Sequence, residues 1–130
     1  MVCLDTDIFV SLIKGDPKAS LFVKSLEEKG EQIKTTVITA YELLKGASIS
    51  SRPEENLDLV SDLISNVSIL ALNQPSADLA ASIYQKLRVK GTMIGEFDIL
   101  IAAIVIKEDE VLISGDKDFL KVGDLKLRHW

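Results

Sequence analysis

Short apolar runs that do not alternate with polar residues recur along this chain between longer stretches of helical periodicity, and this pattern constrains the fold most. A strand covered on one face alternates apolar with polar; Val111-Leu112-Ile113 does not, so its sheet is covered on both faces. Strand-length runs separated by helices specify a parallel sheet with crossover helices. The expected strands are Val2 to Asp5, Gln32 to Val37, Val67 to Leu72, Glu110 to Ser114, and a short edge strand near Leu125 to Arg128.

The helical segments are equally legible. Ala19, Phe22, Val23 and Leu26 fall at i, i+3, i+4 and i+7, as do Ala40, Leu43, Leu44 and Ala47, giving each segment one apolar stripe. A further stripe is Ala80, Ile83, Tyr84 and Leu87. Asp16-Pro17, Pro53-Glu54-Glu55 and Pro75-Ser76 read as helix entries, with Pro in the first turn. Phe97 to Ile106 is apolar almost all round, which predicts a helix buried against the sheet.

At 130 residues and 47% hydrophobic, the chain is sized for one domain, 1–130, with a substantial core. No apolar run approaches the roughly 20 residues that span a bilayer, and Met-Val-Cys-Leu-Asp is unlike a signal peptide, so the expectation is a cytoplasmic protein with no membrane partner. The lone Cys3 lies in a strand-like run and reads as a core thiol. The net charge of -5 argues against a broad basic surface gripping phosphates. A local trio, Lys86, Arg88 and Lys90, is a candidate substrate contact, its plainer reading being a solvated helix end.

Five acids, Asp5, Glu42, Asp98, Asp116 and Asp118, each follow or open an apolar stretch. In an open parallel sheet, ligands bind beyond the carboxyl ends of the strands where strand order reverses. If the first and fourth strands are neighbours, Asp5 and Asp116 face one crevice, and the helices carrying Glu42 and Asp98 start at the same edge. Acids gathered there would repel unless a cation neutralised them. Each also has a local reading: Asp7 as the cap of the helix through Ile13, Asp98 and Glu96 as partners of a helix dipole, and Asp116 or Asp118 as the cap of a short Lys117 to Val122 helix.

Leu4-Asp5-Thr6-Asp7, Thr39-Ala40-Tyr41-Glu42-Leu43-Leu44-Lys45-Gly46-Ala47, Phe97-Asp98-Ile99-Leu100-Ile101-Ala102-Ala103 and Ser114-Gly115-Asp116-Lys117-Asp118-Phe119 resemble, in order and spacing, the acidic motifs of PIN domains. The resemblance is closest to the small VapC-type toxins and covers almost the whole chain. It implies a three-layer α/β/α fold with a central parallel sheet of about five strands. It also implies an endoribonuclease dependent on Mg2+ or Mn2+, a homodimer, and an antitoxin protein that covers the active site. Position by position, Asp5, Glu42 and Asp98 match the family's metal-site acids. Asp116 matches the fourth, with Asp118 as a contender and Glu96 as an optional extra. Ser114 stands where the family commonly has Thr, which keeps a hydroxyl.

The expected roles are metal ligation by Asp5, Asp98 and Asp116, and orientation of the attacking water, or of a second ion, by Glu42. Thr6 and Ser114 are candidates to hold the carboxylates by hydrogen bonds. Lys14 and Lys45 join the basic trio as candidates for specificity, and His129 is expected to be uninvolved. Two other readings compete. Asp5-Thr6-Asp7 and Gly115-Asp116 also fit a haloacid-dehalogenase-type phosphatase, but that leaves Glu42 and Asp98 without a role and puts Ile8-Phe9 where Thr or Val is usual. A receiver needs an Asp after the third strand, where this chain has Leu70-Ala71-Leu72-Asn73. A degenerate PIN domain that only binds a partner is the remaining alternative.

Overall fold

The computed structural model describes all 130 residues. Five strands, β1 (Val2–Leu4), β2 (Ile33–Thr36), β3 (Ser68–Leu70), β4 (Val111–Ile113) and β5 (Leu127–Arg128), form one sheet in the order β3-β2-β1-β4-β5. Every pairing is parallel. Six helices connect them: α1 (Thr6–Ile13), α2 (Pro17–Glu28), α3 (Val37–Ser48), α4 (Pro53–Ser65), α5 (Gln74–Lys90) and α6 (Glu96–Lys107). No helix is long and apolar enough to cross a membrane.

The non-alternating strands feed two cores. Val2, Leu4 and Ile113 pack with Ile8, Phe9, Leu26, Leu43 and Val60 from α1 to α4 on one face. Cys3 and Leu112 point the other way, into a core built mainly by α5 and α6. Three layers result. α6 is the buried helix of the set, with Ile99 and Ile101 to Val105 all inside. Cys3 is fully buried; burial and the nearby charges of Asp5 and Glu110 push its thiol up to about 12, against a smaller opposing pull from Lys34.

The entries to α2 and α5 are built from the expected residues. Asp16 accepts from the Lys18 N–H with Pro17 beginning α2, and Asn73 and Ser76 form a reciprocal capping box around Pro75. Other boundaries moved. Val37 opens α3 instead of ending β2, because the Thr36 hydroxyl accepts from the Thr39 N–H and starts the helix there. β3 is shorter than expected because β2 offers it only Lys34 to Thr36 as partners. Two apolar stripes are narrower than their spacing suggests: Leu44 and Tyr84 are exposed while Leu43, Ala47, Ile83 and Leu87 are buried.

The chain runs outward from β1 to β3, then returns past β1 to place β4 on its other flank. The reversal of strand order therefore lies between β1 and β4, where Leu4 is paired with Ile113. The Asp5 N–H donates to the Ile113 carbonyl at 3.0 Å, which sets the first residue beyond β1 against the end of β4.

Candidate active site

Above that switch point lies a cleft of about 420 Å³ lined by Asp5, Thr6, Asp7, Val10, Ser11, Glu42, Asp98 and Asp116. Four elements supply its acids. Asp5 leaves β1 and occupies the cap position of α1 without using its side chain to cap, so its carboxylate is released to the cleft. It is buried, 5% exposed, and its Oδ2 accepts from the Ser114 hydroxyl at 2.7 Å. That hydroxyl also accepts from the Asp116 N–H at 3.0 Å, so one serine ties the β1 acid to the loop after β4.

Glu42, half-buried on α3, accepts from the Thr6 hydroxyl at 2.9 Å, and the Thr39 hydroxyl lies 3.2 Å from that of Thr6. Asp98 sits in the first turn of α6, where the helix dipole favours a negative charge. Carboxylate oxygens of Asp98, Asp116 and Asp118 lie within 4.8 Å of one another. This trio and the lining of the cleft overlap without coinciding, since Asp5 and Glu42 line the cleft and Asp118 does not. Asp98 and Asp116 belong to both sets. We therefore take them as the centre of the cluster, Asp5 as its buried floor and Asp118 as a residue of the rim. Asp118 also pairs with Lys121 at 3.3 Å, and Asp116 caps the Lys117–Lys121 turn by accepting from the Asp118 N–H.

Burial and the neighbouring charges both raise two of these acids. Burial pushes the Asp5 carboxyl up to about 7; the charges of Asp7 and Asp98 add to this, while hydrogen bonds from Ser114 and the Thr6 N–H oppose it. Burial and then the charges of Asp116, Glu42 and Asp118 push Asp98 up to about 6. A donor set made of carboxylates, without thiolate or imidazole, fits a hard divalent cation such as Mg2+ or Mn2+.

One sequence expectation is corrected, and two other groups of candidates do not line the cleft. Asp7 does not cap α1, which begins at Thr6; its Oδ2 instead accepts from the Gly115 N–H at 2.7 Å and from the Trp130 indole N–H at 3.1 Å. Its Oδ1 is buried with no hydrogen-bond partner. Glu96 lines an apolar groove between α5 and α6 with Ala80, Tyr84 and Ile99, and does not line the cleft. Lys86 and Lys90 flank Ile106 and Lys121, at the opposite end of α6 from Asp98, and Arg88 lies on the same exposed end of α5. None of the trio lines the cleft. His129 is exposed.

Sequence reasoning missed the Asp7 to Trp130 contact, which joins residues 123 apart and leaves no local signal. It named Lys45 as a specificity candidate but missed the two rings that the lysine meets beside the cleft. Tyr41 and Phe97, which precede Glu42 and Asp98, meet edge to face at 5.6 Å, and the Lys45 Nζ lies over both rings at 5.4 and 5.3 Å.

The PIN domain family matches residues 2–125 of the chain. A ribonuclease VapC2 of Haemophilus influenzae is 32% identical over 98% of this chain and 96% of its own length. A tRNA(fMet)-specific endonuclease VapC of Shigella flexneri is 29% identical over the same shares. Among solved structures, VapBC2 from Rickettsia felis, bound to a DNA fragment from its promoter, superposes with a TM-score of 0.91 at 28% identity, covering 100% of this chain and 99% of that one. VapBC-1 from nontypeable Haemophilus influenzae gives 0.88 at 28% identity, covering 100% and 98%. The strand order, the acids at its switch point and these relatives agree, and the chain belongs to the PIN-domain family, among the VapC ribonucleases.

Proposed function

We propose that the protein is the endoribonuclease toxin of a toxin-antitoxin pair, cutting RNA phosphodiester bonds with Mg2+ or Mn2+ held by Asp5, Asp98 and Asp116. The observation that carries this is the convergence of four acids from four elements on the switch point of the sheet, with two carboxyls held well above their ordinary range. Stability alone gives no reason to gather such charges.

When bound, the cation polarises the phosphoryl oxygen and favours ionisation of water. The chain's own residues do the rest. Ser114 fixes the Asp5 carboxylate, and Thr6 fixes one oxygen of Glu42, leaving Oε2 to orient the attacking water. Water adds to the scissile phosphorus in line and gives up a proton to solvent, while the bond to the leaving ribose oxygen breaks and that oxygen takes up a proton from solvent. Asp118, with a carboxylate oxygen within 4.8 Å of those of Asp98 and Asp116, is the contender with Asp116 for the fourth place.

A mixed RNA pool incubated with Mn2+ should be cleaved to ends that lack a 2′,3′-cyclic phosphate, because water and not the ribose 2′-hydroxyl attacks. Cyclic ends, or cleavage unaffected by EDTA, would contradict the proposal. The phosphatase reading loses support here: Asp7, its required acid, is tied to Gly115 and Trp130.

An antitoxin whose Arg enters the cleft would satisfy the acids in place of the cation. The VapBC complexes among the structural relatives favour such a partner, and a homodimer acting in the cytoplasm is part of the same proposal. Mass spectrometry of the protein purified from its native host would identify the partner; a chain free of any second protein would count against it.

A further inference from the structure

Tyr41, Phe97 and Lys45 have no role in the chemistry described above. Tyr41 is 50% and Phe97 38% exposed. Each immediately precedes an acid of the cleft, one on α3 and one on α6. Successive helical residues point about 100° apart, so the rings stand at the rim and not inside the cleft. Neither ring lines it. The amine of Lys45, one turn after Tyr41, lies over both rings, and the rings cross at 78°, so a base would stack on one ring and meet the edge of the other, with the amine turned off the rings toward a phosphate.

From this geometry we infer that Tyr41 and Phe97 form a stacking platform for a nucleobase flanking the scissile phosphate, with Lys45 contacting the adjoining backbone phosphate. The inference rests on the ribonuclease reading and specifies how that site holds its substrate. Single-stranded nucleic acid is bound elsewhere by this combination of aromatic face and local cation, which tolerates any base. In a chain of net charge -5, Lys45 also supplies positive charge beside the acids, while none of the basic trio lines the cleft.

The test is RNA binding by the full chain in an Asp98→Asn background, with Mn2+ present, using a fluorescent oligoribonucleotide and a series in which each nucleotide in turn is abasic. Tyr41→Ala and Phe97→Ala should each weaken binding about 5- to 150-fold. At one abasic position the loss should match that of Tyr41→Ala and should not recur when the two are combined. Lys45→Gln should reduce the salt dependence by about 0.7 in log K against log salt. In the otherwise native chain, the ring variants should raise KM with kcat and the Mn2+ midpoint retained.

Unchanged RNA binding in both ring variants overturns the platform while leaving the ribonuclease reading intact. Additive losses at every abasic position overturn it as well. Loss of binding that tracks dissociation of a dimer in sedimentation overturns it in favour of an interface between copies. Failure of a folded Asp98→Asn chain with both rings intact to bind any RNA, together with failure of the native chain to cleave it in Mn2+, overturns the platform and its foundation together.

Discussion

Asp5 is asked to be buried and to carry charge, and Asp5→Asn separates the two demands. The residue is 5% exposed, and its carboxyl is pushed up to about 7 from 3.8. With a folded-state pKa above the unfolded one, the folded protein holds an extra proton between those values. The stabilising effect is complete below the lower value and is lost as pH rises through the upper one. At 1.36 kcal/mol per unit the full penalty of the charged form is about 4 kcal/mol. An amide carries no charge and keeps an oxygen to accept from Ser114. Metal-free Asp5→Asn should therefore exceed the native chain in stability by about 2 to 4 kcal/mol near pH 8, and by about zero near pH 4. Urea unfolding in EDTA at several pH values measures this difference. Adding Mn2+ should reverse the order once it is in about thousandfold excess over Kd, which stabilises the native chain by about 4.1 kcal/mol and the variant by far less. A variant less stable than the native chain at pH 8 in EDTA, or a difference independent of pH, would refute the reasoning.

Three other substitutions probe the surroundings. Ser114→Ala removes a hydrogen bond that lowers the Asp5 pKa, so Mn2+ affinity at neutral pH should fall about 10- to 100-fold, and its pH midpoint should move upward in calorimetric titrations. Gly115→Ala would put a Cβ 2.8 Å from Asp7 Oδ2 and 3.3 Å from the Trp130 Nε1, so unfolding should show a loss of about 1 to 3 kcal/mol and cleavage should weaken as the Asp116 loop shifts. Glu110→Gln breaks the ion pair with Lys34, whose side chains are 2% and 15% exposed and 2.7 Å apart, and should cost about 3 to 5 kcal/mol by urea unfolding with Mn2+ affinity unchanged.

The layered architecture was legible because burial on both faces leaves a local mark: Val111-Leu112-Ile113 reads the same whichever helices cover it. The acids were legible because strand ends and helix starts are local as well, and a parallel sheet collects them at one edge. What escaped depended on distant contacts. Asp7 has the sequence of a cap but is held by Gly115 and Trp130, and its role follows from where the chain's last residues return. The location of Lys86 and Lys90 depended on how α5 lies beside α6, which helical periodicity does not encode. Asp116 and Asp118 were hard to separate because one side chain both caps a turn and lines the cleft.

The central claim is that the gathered acids hold a divalent cation for RNA cleavage. Its most direct test is the rate of RNA cleavage across a Mn2+ titration for the native chain and Asp98→Asn, with folding of both verified by circular dichroism. Metal-assisted stabilisation of transition-state charge amounts to several kcal/mol, so a folded Asp98→Asn should lose about 100-fold or more at every Mn2+ concentration. Equal rates in the two proteins, or full activity without the cation, would contradict the claim.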